Sequence, residues 1–278
     1  MKKAAITGHP VSHSKSPEIH SYWLKQLGLE GEYGRVEVSP STAMDFYQSL
    51  KDNGLDGCNV TIPNKEIAFE AAQHLDDAAK AIGAVNTLWL DEDGVLCGSN
   101  TDGLGFLGNL DQGCPGWDNN VNKAVVLGAG GAARAIIWAL QQRGFNNIHI
   151  CNRTFEKSKV LADYFGGNVS AQPWENRSTD LEGADLLVNT TALGMKGQPK
   201  LDIALDKLSK KAVVTDIVYT PLMTDLLKTA IERGNPVVDG LGMLLHQATV
   251  GFAKWFGQMP EVTEELRQQT IKSMDLEG

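Results

Sequence analysis

Short apolar runs alternate along the chain with amphipathic stretches. Runs at 4–7, 57–62, 124–127, 148–151, 186–189, 213–217 and 237–238 are short and read as strands, and 33–38 reads as extended. Residues 17–26, 41–51, 64–74, 132–143, 157–165, 241–256 and 261–274 read as helices. Ser16 followed by Pro17 predicts an N-cap and first helical position. Asn53-Gly54 predicts a helix stop. Residues 84–90 and 95–99 flank Asp91-Glu92-Asp93-Gly94, whose glycine suits a hairpin turn.

This alternation predicts an α/β fold with two α/β domains. The second is expected to be a Rossmann-like doubly wound parallel sheet, because its strands are short and apolar, as strands covered on both faces are. Glycine, proline and asparagine cluster at 112–122, so a boundary is placed before that stretch. The expected division is residues 1–103 plus 241–278 against 104–240.

A chain of 278 residues fits about two domains by the length prior. The net charge of −9 argues against nucleic acid or an anionic membrane as a partner, since both require basic surface. No apolar run approaches the ~18–20 residues of a membrane span. The opening residues lack the apolar stretch of a signal peptide. Four scattered cysteines without a C-x-x-C pair point to free thiols and a cytoplasmic location. His9 and His13 are separated by Pro10, so they do not form a helical metal pair, and no metal is expected.

Gly128-Ala129-Gly130-Gly131-Ala132-Ala133 follows one apolar run and opens the next helix. That context makes it a dinucleotide signal of the G-x-G-x-x-G/A type. Gly128 permits the tight turn, Gly130 lets backbone approach a pyrophosphate, and the helix N-terminus offers free N–H groups. The next strand ends in Asn152-Arg153-Thr154, with Lys157 one turn later. An NAD site usually places an acid there for the ribose diol. A guanidinium and a hydroxyl suit a 2′-phosphate instead, so the expected cofactor is NADP. Thr190 to Ala192 end a later strand, where an adenosine contact and a plain polar loop are both open.

The first domain places polar residues where its strands end. Ser14 and Ser16 precede a helix and suit a carboxylate, although Ser16 alone also serves as a cap. Thr61 ends a strand, and Lys65 follows at a helix start, where the dipole disfavours a cation. Such a position hints at chemistry; a solvated lysine is the ordinary alternative. Asp102 reads either as a cap or as the carboxylate that holds Lys65.

In chain order, the stretch from Gly8 to Pro17, Asn59-Val60-Thr61-Ile62-Pro63-Asn64-Lys65, Gly83-Ala84-Val85-Asn86-Thr87, Gly98-Ser99-Asn100-Thr101-Asp102-Gly103, the Gly128 loop, Asn152-Arg153-Thr154 and Gly240-Leu241-Gly242-Met243-Leu244 with Gln247-Ala248 resemble the shikimate dehydrogenase family along nearly the whole chain. Asn64 departs from the pattern, since many relatives carry an aromatic before the lysine. The resemblance implies NADPH-dependent reversible reduction of 3-dehydroshikimate to shikimate in aromatic amino-acid biosynthesis. It implies Lys65 and Asp102 as the catalytic pair. Ser14 and Ser16 would bind the substrate carboxylate, and Thr61, Asn86, Asp102, Tyr219 and Gln247 the ring hydroxyls. Gly128, Ala129, Gly130, Gly131, Ala132, Asn152, Arg153, Thr154 and Lys157 would hold NADP, with Gly240, Met243 and Asp77 toward the nicotinamide. The expected partners are the small-molecule substrate and a second copy in a homodimer. A quinate-accepting dehydrogenase is the nearest alternative, because one extra hydroxyl decides between the two substrates.

Overall fold

A computed structural model describes residues 1–275. The chain divides into two compact units, Met1–Gly105 with the chain from Leu245 onward, and Phe106–Leu244. The crossings fall inside two helices, α5 (Asp102–Gly113) and α9 (Leu241–Phe256). They therefore lie slightly later than the positions after Gly103 and Gly240 that composition suggested.

The first unit holds six strands: β1 (Lys2–Gly8), β2 (Gly31–Glu37), β3 (Gly57–Val60), β4 (His74–Leu75), β5 (Thr87–Leu90) and β6 (Leu96–Ser99). Their order in the sheet is β2-β1-β3-β5-β6-β4. β1 is parallel to both β2 and β3, whereas β5 is antiparallel to β3 and β6. The carboxyl ends of β1, β3 and β6 and the amino end of β5 consequently share one edge.

Helix α1 (Ser16–Leu27) carries Pro17 in its first turn and stops at Gly28, whose φ of 64° suits glycine. It buries Ile19, His20, Trp23 and Leu24. The cap is Lys15, not Ser16. Ser16 is the first helical residue, and its hydroxyl accepts a hydrogen bond from Ser14 Oγ at 3.2 Å. Gly57 admits the last turn of α9: a Cβ there would stand 1.9 Å from Trp255 Nε1, the atom that donates to Leu88 O at 2.9 Å.

Helices α2 (Pro40–Gln48) and α3 (Lys65–Ala71) are shorter than their apolar spacing suggests. The backbone N–H of Gln73 donates to Leu96 O, and His74 pairs with Cys97, so the end of the expected helix joins the sheet as β4. Helix α4 (Asp77–Ile82) follows, with Asp76 Oδ1 accepting from Ala79 N at 2.8 Å. Helix α10 (Glu264–Asp275) ends the described chain.

The second unit holds β7 (Lys123–Leu127), β8 (Asn147–Asn152), β9 (Val169–Pro173), β10 (Leu186–Asn189), β11 (Val213–Asp216) and β12 (Val237–Val238). Every pair is parallel, in the order β12-β11-β10-β7-β8-β9. This is the doubly wound arrangement, with the switch in direction between β7 and β10. Helix α6 (Gly131–Gln142) covers it with Ala133, Ile136, Ile137 and Leu140, all fully buried. Helix α7 (Phe155–Phe165) follows β8, and α8 (Asp225–Arg233) runs from a Thr224 cap to Gly234.

Candidate active site

The polar edge of the first sheet is built from segments far apart in sequence. Gly8 ends β1 beside Thr61: a Cβ on Gly8 would stand 2.6 Å from Thr61 Cγ2, and His9 N donates to Ile62 O. The loops after β1 and β3 therefore begin in contact. Lys65 opens α3, and its carbonyl accepts from Val85 N at 2.9 Å, which ties that helix start to the segment before β5. Asn64 faces inward, fully buried, and donates to Val38 O at 2.7 Å, so its side chain packs the start of α3.

Lys65 Nζ donates to Asp102 Oδ2 at 2.6 Å, with the two side chains 29% and 18% exposed. Asn86 Nδ2 donates to Asp102 Oδ1 at 2.8 Å. Asn86 Oδ1 in turn accepts from Thr101 N, Thr101 Oγ1 and Thr87 Oγ1. Each amide atom of Asn86 has a fixed role, so the carboxylate it orients is fixed as well. A further chain supports it: Tyr33 Oη donates to Asn59 Oδ1 at 2.6 Å, and Asn59 Nδ2 donates to Thr87 Oγ1. Gln247 adjoins the cluster, its side-chain Oε1 lying 3.5 Å from Thr101 Oγ1. Asp102 N donates to Asn100 Oδ1, so Asn100 closes the start of α5 and leaves the Asp102 carboxylate to the lysine.

The structure thus brings Lys65, Asp102, Asn86 and Gln247 together. Ser14 and Ser16 lie at the head of α1, bonded to each other, with Arg35 donating to Ser14 O at 2.6 Å. Asp77 stands exposed in the first turn of α4, with no hydrogen bond to this cluster among the described residues. Tyr219 belongs to the second unit, just after β11; burial pushes its phenol above the usual value. Thr101 was not singled out from the sequence. Its hydroxyl and N–H hold Asn86, and only the register of β5 against β6 reveals that.

In the second unit, Gly128 ends β7 with a φ of 107°. A Cβ there would stand 2.6 Å from Thr190 Oγ1. Gly130 is the N-cap of α6 and supplies no side chain to the helix N–H groups. Side chains at Gly130 or Gly131 would meet nothing within 4 Å, so the backbone of this turn faces open space. Ala132 continues the first turn of α6. A cleft of about 450 Å³ lies over it, bordered by Gly128, Ala129, Gly130, Asn152, Arg153, Thr154, Lys157, Trp174 and Thr190 to Leu193. Exposed helix N–H groups beside a glycine turn fit a pyrophosphate.

Arg153, Thr154 and Lys157 are exposed at the cleft, and neither Arg153 nor Lys157 forms an ion pair among the described residues. Asn152 Nδ2 donates to Thr154 O at 2.8 Å and fixes the loop that carries Arg153. Trp174 was missed in the sequence because β9, which precedes it, carries polar residues within a short run. Gly240 and Met243 lie around the start of α9. A Cβ on Gly240 would stand 2.5 Å from Ile217 C, so this close approach to the end of β11 requires glycine.

Two family models match the chain. The shikimate dehydrogenase substrate binding domain matches residues 6–88, and the shikimate / quinate 5-dehydrogenase matches residues 115–220. An NADP(+) shikimate dehydrogenase of Azorhizobium caulinodans is 51% identical over 278 residues, covering 100% of this chain and 99% of that protein. The Thermus thermophilus shikimate 5-dehydrogenase, solved with NADP(H) and shikimate, is 33% identical with a TM-score of 0.84 and covers 98% of this chain and 99% of its own. A Corynebacterium glutamicum quinate dehydrogenase solved with NAD is 27% identical with a TM-score of 0.89, covering 98% of this chain and 99% of its own. Domain models in both halves and a half-identical relative over the full length leave one assignment: the chain belongs to the shikimate dehydrogenase family.

Proposed function

We propose that this chain performs the reversible reduction of 3-dehydroshikimate to shikimate with NADPH, and that Lys65 and Asp102 are its catalytic pair. The observation that carries the assignment of roles is the 2.6 Å contact between Lys65 Nζ and Asp102 Oδ2, with Asn86 holding the second carboxylate oxygen.

When bound, the cofactor supplies the hydride. The residues of the chain supply position and a proton. Reduction leaves negative charge on the former ketone oxygen, and the Lys65 ammonium donates the proton that neutralises it. In the reverse direction the free amine takes the proton from the hydroxyl. Asp102 keeps Nζ in one place and accepts from a neighbouring substrate hydroxyl. Asn86, Thr61, Gln247 and Tyr219 bind the ring hydroxyls, and Ser14 and Ser16 donate to the substrate carboxylate. The turn from Gly128 to Ala132 holds the pyrophosphate, and Arg153 with Thr154 and Lys157 meets the 2′-phosphate. Gly240, Met243 and Asp77 belong to the nicotinamide end in this reading. The unit that contains Lys65 is then the substrate-binding domain, and Phe106–Leu244 the NADP-binding domain.

No helix among the described residues is long and apolar enough to cross a membrane. The four cysteines are unpaired, which fits the cytoplasm. The reading also carries a homodimer and no nucleic-acid partner. Oxidation of shikimate and of quinate, each with NADP and with NAD and followed by absorbance of the reduced cofactor, tests the assignment. Turnover of shikimate with NADP well above the other three combinations supports it, and quinate turnover at the same kcat/KM would replace the substrate.

A further inference from the structure

Outside the proposed catalytic cluster, the first sheet gathers three metal-ligating side chains at its other margin. His74 in β4, Asp91 just after β5 and Cys97 in β6 each offer one donor atom, and these atoms all lie within 4.8 Å of one another. Strand register produces the arrangement. His74 is the partner of Cys97 in the parallel β4–β6 pair, and the hairpin turn after β5 folds Asp91 back over Cys97. Asp91 Oδ1 is occupied by the N–H groups of Asp93 and Val95, at 3.1 and 2.8 Å. This leaves Oδ2 directed at Cys97 Sγ, 3.8 Å away.

We propose that His74, Asp91 and Cys97 form a zinc site. Imidazole, carboxylate and thiolate are ordinary zinc donors, and zinc bonds of ~2.0–2.3 Å place tetrahedral neighbours roughly 3.3–3.8 Å apart. The Asp91–Cys97 separation already meets that spacing, and closing the remaining gaps takes a shift of under about 1.5 Å at the exposed His74 side chain. On binding, Cys97 releases its thiol proton to solvent, and the thiolate and carboxylate neutralise the divalent ion. Water would supply the fourth ligand. Hydrogen bonds to Asp91 Oδ1 already orient that ligand before the ion arrives. The ion would join the two-residue edge strand β4 to the hairpin, at the margin where the sheet has least pairing.

The test is a titration of the full, reduced chain with Co²⁺, then displacement by Zn²⁺, with thermal unfolding measured in parallel. One equivalent of Co²⁺ should give a thiolate-to-cobalt charge-transfer band that Zn²⁺ abolishes, and Zn²⁺ should raise Tm. Cys97→Ser should lose the band. His74→Ala, an exposed and readily tolerated change, should weaken binding at least ~10-fold and lose the Tm shift. Cys114→Ser should behave as the parent. Absence of the band in the parent, its survival in Cys97→Ser, or parent-like binding by His74→Ala overturns the proposal.

Discussion

Replacing Lys65 with alanine separates chemistry from binding, because the structure ties the residue to one carboxylate and little else. The change removes the ammonium 2.6 Å from Asp102 Oδ2 and leaves Asn86 bonded to Asp102 Oδ1 at 2.8 Å. Both side chains of the pair reach solvent, at 29% and 18% exposure, so water can replace the lost partner. The stability cost is then about 1 kcal/mol or less, as for partly solvated pairs. Ser14, Ser16, Asn86 and Gln247 keep their geometry, so KM for shikimate should stay within about threefold. General acid–base catalysis contributes ~10²–10⁴ in rate, which is about 2.7–5.5 kcal/mol of barrier. The fall should therefore appear in kcat. Steady-state oxidation of shikimate at saturating NADP, with circular dichroism to confirm folding, measures both quantities. A folded Lys65→Ala variant with kcat within about threefold of the parent would show that another group moves the proton.

Other changes probe the remaining parts. Arg153→Asp should weaken NADP by roughly 10–100-fold while changing NAD much less, since one charge-assisted hydrogen bond contributes ~1.5–3 kcal/mol; kcat/KM for the two cofactors checks this. Ser14→Ala or Ser16→Ala should raise KM for shikimate more than it lowers kcat, read from saturation curves of each variant. Gly57→Ala should destabilise the first unit by ~1–3 kcal/mol or more, because the new Cβ meets the indole of Trp255, and denaturant unfolding reports it. Burial tends to raise the Asp180 carboxyl, but hydrogen bonds and charges from His149 and Lys123 outweigh it and hold it below its ordinary 3.8. Its contribution is therefore present above pH ~4 and lost as pH falls through the depressed value. Asp180→Asn should cost about 1–3 kcal/mol at neutral pH, with the difference from the parent fading in acid unfolding curves.

Five of the six strands of the second unit are legible because each carries a short apolar run; β9 is not, because Ser170 and Gln172 interrupt it, and α8 is not marked by the spacing of its apolar residues alone. Where the pattern was mixed, reading failed for identifiable reasons. The helix expected over 64–74 ends at Ala71, because the N–H of Gln73 finds Leu96 O and His74 finds a strand partner. A local spacing rule cannot see a hydrogen bond to a residue more than twenty positions away. Ser16 looked like a cap, yet Lys15 occupies that place and Ser16 opens the helix beside Ser14. Helices α4 and α8 start at Asp76 and Thr224, residue types that mark a helix N-terminus in the sequence. The polar cluster was legible as residue types at strand ends, but the role of Asn86 in orienting Asp102 needed coordinates. So did the approach of His74 to Cys97, since nothing in their spacing marks them as neighbours.

Charge shows how little a bulk quantity says about a site. The whole chain is −9, yet the proposed substrate and cofactor are both anions. Attraction must then come from cations left free at particular places. In the second unit, Lys123 is paired with Asp180, Arg143 with Asp111 and Asp118, and Arg177 with Asp202. Those cations are neutralised by the fold and offer nothing to a ligand. Arg153 and Lys157 have no such partner among the described residues, and they border the same cleft as the open backbone of Gly128 and Gly130. Exposure without a partner is common on a protein surface and is no signal alone. A free guanidinium beside an uncapped helix start is more specific, because each supplies donors that an anion needs and neither is consumed by the protein itself. The same reasoning separates Lys65 from the surface lysines. Its ammonium is held at a strand-edge cluster by a carboxylate whose other oxygen is already bonded, so the lysine is fixed in place and still reachable by solvent and substrate.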